Sequence, residues 1–293
     1  MLDFDLIRAE TLTEALEFLQ KNGSSTRVIA GGTDLLVELR SLSEGSPEAP
    51  DYVLDISPLE ELKGIREKKD LLLIGPLVTH REIAASGPVG RYAPLLARAC
   101  STVGAVQHRV AGTIGGNIIN ASPAADSVPA LIALDAEVIF RSARKKRKKA
   151  LKDIFVKPYL TDIRPDELLT EIRFKKLSEG ARSGFIKLAR RNALAISRMN
   201  IAVVVILGKG VVKDIRISPG STTPLPDRIT VAEKVMTGKK PTAELIRKAG
   251  AKVAEEMIAR SGVRWSTPYK EPVIAAMVSR ALREALGDEL ASG

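Results

Sequence analysis

The sequence predicts a mixed α+β protein, with an α/β front part and a rear part of antiparallel strands and helices. Three observations carry this. From residue 11 to 140, short apolar runs alternate with segments of helical period. From 165 to 220, four strand-like runs follow one another at hairpin spacing. From 229 onward, three helical segments close the chain. The 293 residues, 45% hydrophobic, suffice for a sizeable core and suggest two domains, divided here as 1–176 and 177–293.

Each element has a local reason. Thr11-Leu12-Thr13-Glu14 reads as a capping box, Leu12, Ala15, Leu16 and Leu19 share one helical face, and Gly23 supplies a stop. Thr26 to Ala30 is a β-branched run that reads as a buried strand. It leads directly into Gly31-Gly32-Thr33-Asp34 and then a helical stretch from Leu35 to Arg40. Residues 41–50, rich in Ser, Pro, Gly and Glu, read as a surface loop. Strands are expected at 52–56 and 71–75, and helices at 79–85 and 92–101. A second glycine turn, Gly112 to Asn117, precedes a helix at 128–134 and a strand at 136–140. Strands at 168–174, 184–189, 201–207 and 211–217 and helices at 229–236, 242–259 and 272–286 complete the order.

Composition removes several function classes. No run of about 18 apolar residues is present, so no transmembrane helix is expected. Met1-Leu2-Asp3-Phe4-Asp5 lacks the basic start and apolar stretch of a secretory leader, which makes the cytoplasm the expected location. Cys100 is the single cysteine, so no intrachain disulfide forms and no zinc ribbon or iron–sulfur cluster has its thiolates. His80 and His108 form no ligand cluster, so no metal site is expected. Redox chemistry in such a chain requires a borrowed group.

The net charge of +10 is concentrated in residues 141–149, which carry seven cations and no acid. This tract reads as a solvated loop or a strand edge, where lysines discourage edge-to-edge pairing. An acidic partner surface is a second use of it. Nucleic acid is disfavoured, because the basic footprint is narrow and no aromatic residue interleaves with it.

The two glycine turns carry the chemistry. A glycine turn lets backbone N–H groups approach a phosphate with no Cβ in the way. Ala30-Gly31-Gly32-Thr33-Asp34 adds the Thr33 hydroxyl as a donor, and Thr113-Ile114-Gly115-Gly116-Asn117 adds the Asn117 amide. Two such turns suit the two phosphates of a dinucleotide, approached from opposite sides. Neither has the Rossmann spacing, and no P-loop is present. Either pair of glycines, taken alone, is more often an ordinary turn.

Val28-Ile29-Ala30-Gly31-Gly32-Thr33-Asp34-Leu35 and Thr113-Ile114-Gly115-Gly116-Asn117-Ile118 resemble the paired FAD-pyrophosphate motifs of one family. It is the FAD-binding medium subunits of molybdenum hydroxylases, which include xanthine dehydrogenase, carbon monoxide dehydrogenase and aldehyde oxidoreductase. Asn120 to Asp126, Asp166 to Ile172, Phe185 to Arg191 and Tyr269-Lys270 resemble further family segments in the same order, so the resemblance spans nearly the whole chain. It implies a two-lobed FAD-binding domain of the PCMH or vanillyl-alcohol-oxidase type over 1–176, followed over 177–293 by the C-terminal domain typical of these medium subunits. It further implies FAD as cofactor, a small iron–sulfur subunit and a large molybdenum subunit as partners, and NAD or another acceptor for the electrons.

Position by position, the resemblance puts Val28 to Leu35 around the pyrophosphate and adenosine side and Thr113 to Asn117 in a second phosphate loop. It puts Val103 in contact with the cofactor, Asp126 as an acceptor for its polar linker, and Leu169 and Lys187 near the flavin. The residues themselves leave plainer roles open: core packing for Val103 and Leu169, a solvated strand position for Lys187, and a helix N-cap for Asp126. The chain departs from some members in having Ala193-Leu194-Ala195-Ile196 where they carry a tyrosine beside the flavin ring, which implies different access to it. The basic tract is also denser than the family pattern requires. Two other functions stand beside this one: a stand-alone reductase or oxidase of the same FAD fold, which uses similar glycine turns, and, from the basic tract, a basic scaffold or nucleic-acid-binding protein.

Overall fold

The computed structural model describes residues 3–43, 45–191 and 194–287; Asn192 and Ala193, in the segment read for ring access, lie outside the described residues. The first lobe consists of β1 (Asp5–Arg8), α1 (Leu12–Asn22), β2 (Thr26–Ile29), α2 (Leu35–Ser41) and β3 (Tyr52–Asp55). Its sheet is parallel, in the order β1-β3-β2. The Thr11 hydroxyl accepts the Glu14 N–H, and the expected face of α1 is buried. That face joins Leu54, Leu59 and Leu62 in a small core.

Two local readings change here. Gly23 follows α1 without a left-handed turn; it is glycine because a Cβ there would lie 2.2 Å from the Pro165 carbonyl oxygen. β2 is an edge strand, and Val28 is exposed rather than buried.

The second lobe begins with β4 (Ile65–Lys68) and β5 (Leu71–Ile74). Six short helices follow: α3 (His80–Ala85), α4 (Gly87–Tyr92), α5 (Pro94–Ser101), α6 (Val106–Ala111), α7 (Ile114–Asn120) and α8 (Ser127–Ala133). Then come β6 (Glu137–Arg141), β7 (Lys146–Ala150), the short pair β8 (Phe155–Lys157) and β9 (Leu160–Thr161), and β10 (Leu168–Lys175). The antiparallel sheet runs β4-β5-β10-β6-β7. The helix expected over 92–101 is interrupted at Ala93, and Pro94 opens a new helix where its missing N–H costs nothing. The second glycine pair sits not in a turn after a strand but in the first turn of α7.

The basic tract forms the edge strand β7 and the turn before it. Arg147 stacks over Phe140 and bonds Asp162 and Glu167, while Lys148 pairs with Glu137.

The rear part is a meander of β11 (Ala181–Ala189), β12 (Ser197–Gly208) and β13 (Val211–Gly220), followed by α9 (Thr230–Met236), α10 (Ala243–Ser261) and α11 (Thr267–Leu286). The last helix starts ahead of the expected 272, with Pro268 in its first turn. Strand alternation gives this sheet two apolar faces. Ile201, Val203 and Val205 pack on the rear helices, whereas Phe185, Ala202 and Val204 belong to the core of the second lobe. Among the described residues, no helix is long and apolar enough to cross a membrane.

Candidate cofactor site

The structure brings the two glycine motifs together. A Cβ added to Gly31 would lie 2.0 Å from the Ala111 carbonyl oxygen and 3.1 Å from Gly112 Cα, so the first loop touches the backbone that leads into the second. Gly32 has φ +67°, a left-handed conformation that glycine adopts without strain. Thr33 Oγ1 would stand 3.5 Å from a Cβ on Gly112, and Asn120 Nδ2 donates to Asp34 Oδ1 at 3.0 Å. The N–H groups of Gly31, Gly32, Thr33 and Asp34 make no hydrogen bond to any described residue. They are free donors at the mouth of the contact.

The second motif is held differently. Thr113 bridges Thr79, Ile114 N donates to Val78 O (2.9 Å), and Gly115 N donates to Pro76 O (2.9 Å). Thr113 Oγ1 caps α7 by accepting from Gly116 N at 3.0 Å. The expectation that both loops offer a row of free N–H groups therefore holds only for the first. A Cβ on Gly115 would lie 2.5 Å from Pro76 Cβ, so that glycine serves packing. A Cβ on Gly116 would meet nothing within 4 Å except Thr113 Oγ1, at 3.0 Å. Gly116 is thus the glycine that faces open space. Asn117 accepts from Ser127 Oγ at 2.7 Å through Oδ1, which turns its amide N–H₂ to donor use.

A second cluster ties the front part to the rear. Asp126, 5% exposed, stands at the start of α8 but makes no side-chain cap bond. Its carboxylate accepts instead from Lys187 Nζ (2.6 Å), Ser197 Oγ (2.6 Å) and Asn200 Nδ2 (3.0 Å). Burial pushes the Asp126 carboxyl above the usual carboxylate range, against the pull of Lys187 and of the Ser197 and Asn200 hydrogen bonds. Lys187 is no solvated strand residue: its ammonium also donates to Thr102 O at 2.8 Å. Val103, half-buried, has its carbonyl held by Arg109 Nη1 at 2.9 Å.

Helix α6 therefore serves both places, since Arg109 fixes the 103–104 loop and Ala111 meets Gly31. Leu169 packs its side chain in the main core, just before a bulge in β10. Ile29, Ala30 and Leu35 are half-buried beside the first loop. Ser197 and Asn200 escaped the sequence reading; the one signal they left was a polar opening, Ser197, Arg198 and Asn200, to an otherwise apolar strand.

These features suit a diphosphate-bearing group: consecutive free N–H donors, a glycine with space before it, an amide donor, and one nearby carboxylate already engaged by Asn120. Comparison with known proteins fixes the class. Residues 2–174 match the FAD binding domain in molybdopterin dehydrogenase, and residues 184–285 match the CO dehydrogenase flavoprotein C-terminal domain.

The chain belongs to the FAD-binding medium subunits of molybdenum hydroxylases, and FAD is its cofactor. It is 34% identical to the glyceraldehyde dehydrogenase medium chain of Sulfolobus acidocaldarius, over 96% of this chain and 98% of that one. It is 31% identical to the nicotinate dehydrogenase FAD-subunit of Eubacterium barkeri, over 100% and 99%. A solved structure of carbon monoxide dehydrogenase from Hydrogenophaga pseudoflava superposes with a TM-score of 0.89 at 28% identity, covering 99% of each chain.

Proposed function

We propose that the protein is the electron-transfer subunit of a molybdenum hydroxylase. It takes electrons from iron–sulfur centres on a small partner subunit, fed by a large molybdenum subunit that hydroxylates the substrate. It passes them to NAD or another external acceptor. The observation that carries this reading is the meeting of the two glycine motifs beside free N–H donors, in a chain whose single cysteine cannot ligate a cluster of its own.

The domains divide at 176/177. The Gly31 to Asp34 N–H groups, the Thr33 hydroxyl and the Asn117 amide hold the diphosphate. Gly116 leaves room for it, and Thr113, Ile114 and Gly115 set the second loop in place. Val28, Ile29, Ala30 and Leu35 give an apolar wall on the adenosine side. Asp126 and Lys187 fix the Thr102–Val103 loop beside the linker, and Leu169 backs the site from the core. Bound FAD supplies the redox chemistry; these residues bind it, orient it and set its surroundings.

The test uses the isolated full chain and the assembly purified from its source. The chain alone should retain FAD yet oxidise no aldehyde, purine or carbon monoxide. The native assembly should contain molybdenum and iron, and adding both partner subunits should restore dye or NAD reduction. Substrate oxidation by the chain alone would favour a stand-alone flavoenzyme and overturn this reading.

A further inference from the structure

A pocket made of other residues lies between the α10–α11 turn, the loop after β13, and Pro123 and Pro158 of the front part. None of its lining residues belongs to the glycine loops or the Asp126 cluster, and none is Asp or Glu. Its charged members are Arg264 and Lys270. Lys270 Nζ donates to Ser221 O (3.1 Å) and Arg264 Nε to Ser261 O (3.1 Å), so each keeps further N–H groups. Close by, Arg198 lies over the Tyr269 ring at 5.8 Å.

None of these three cations forms an ion pair with a described residue. Burial, then Arg264 and Arg198, push the Lys270 ammonium below the usual lysine range. Thr222 lines the same pocket, and its buried hydroxyl oxygen has no hydrogen-bond partner.

Cations gathered without a counter-charge repel one another, and an anion among them relieves that repulsion. A planar carboxylate is best met by one arginine fork. Here the donors come from separate places: Arg264 ahead of α11, Lys270 within it, and the Thr222 hydroxyl from the loop after β13. That spread suits a tetrahedral dianion with acceptor oxygens in several directions. We propose that this pocket binds the phosphate group of a small molecule, with Arg264 and Lys270 as its charge partners and Thr222 beside them. The inference stands on this pocket alone and does not depend on the electron-transfer reading.

The test uses the FAD-loaded full chain, so that the cofactor cleft is filled. Inorganic phosphate and ADP are titrated separately at constant ionic strength, with chloride as the control. Trp265 is the chain's single tryptophan, 91% exposed and set between the pocket residues Arg264 and Ser266, so its fluorescence reports the site. A saturable change with phosphate or ADP, absent with chloride, is expected. Arg264→Gln and Lys270→Met should each weaken it at least tenfold while flavin absorbance stays constant. Saturation by inorganic phosphate identifies the free ion, whereas saturation by ADP alone identifies a nucleotide; both support the site. Lys270, half-buried, also holds the Ser221 carbonyl, whereas Arg264 is exposed and its side chain bonds only the nearby Ser261 carbonyl among the described residues, so Arg264→Gln is the variant that disturbs the fold less. No saturation with either probe, or saturation unchanged in both variants, overturns the proposal.

Discussion

The four motif glycines are not equivalent, and this decides how each responds to change. Gly31 and Gly115 let backbone meet backbone or proline, and Gly32 supplies a positive φ, so a side chain at any of these perturbs the protein itself. Gly116 is exposed, and a Cβ there would press only on the Thr113 hydroxyl, at 3.0 Å. Gly116→Val should therefore lose FAD, measured as flavin absorbance per chain, while keeping the circular dichroism of the parent. Full flavin occupancy would remove Gly116 from the site. Gly32→Val should lose both FAD and stability, which makes it the less informative change.

His80 supplies the residue-scale pH effect. Its ring is buried beside Gly112, its Nδ1 has no partner, and burial followed by the Arg109 charge lowers its pKa from 6.5 to about 4. As pH falls through that window the unfolded chain takes up the proton before the folded one does. His80 thus favours the fold fully above 6.5, and the advantage shrinks as pH drops toward 4. Denaturant melts should show a slope of up to about 1.4 kcal/mol per pH unit from this group. His80→Gln should flatten the curve; an identical slope in the variant would assign the acid sensitivity elsewhere.

At the scale of elements, what was legible was local. Helix α1 announces itself through the Thr11 cap and one apolar stripe, and both signals lie within the helix. Helix α7 does not, because Gly115-Gly116 lowers helix propensity; the Thr113 cap and the bonds from Ile114 and Gly115 to the Pro76–Val78 segment hold its start in place. Strand β7 was legible only as one of two readings, a loop or a strand edge, since lysine and arginine runs are poor strand formers. It exists because Arg147 stacks on Phe140 and bonds two carboxylates.

The cations of the tract thereby separate into two groups. Replacing Arg141, Arg144, Lys145 and Lys146 by glutamine should leave FAD content and melting temperature close to those of the parent. Replacing Arg147 alone should lower the melting temperature, since the buried Glu167 would lose its ion-pair partner and Asp162 would keep only Lys149. FAD loss on neutralising the first group would show that the tract supports the cofactor loops. The meeting of Ser197 and Asn200 with Asp126 was beyond any local reading, because it depends on how β12 lies against α8.

At the scale of the whole molecule, the rear meander shares itself between two cores. One face completes the second lobe through Phe185, Ala202 and Val204, and the other carries the rear helices. Residues 1–176 expressed alone would lack that cover and expose apolar surface, so they should aggregate rather than fold into a flavin-binding fragment. Calorimetry of the full chain should give one transition, not two. Two well-separated transitions would mean that the halves are independent.

A chain with a hinge between its halves could open and close around its cofactor. Here the sheet acts as a party wall: neither room can be moved without bringing down the other. In the electron-transfer role proposed above that is an advantage, because the tunnelling gap to a neighbouring subunit would then be set by construction. The cost falls on assembly, since the cofactor's house can be finished only after the last strand and helix have been made.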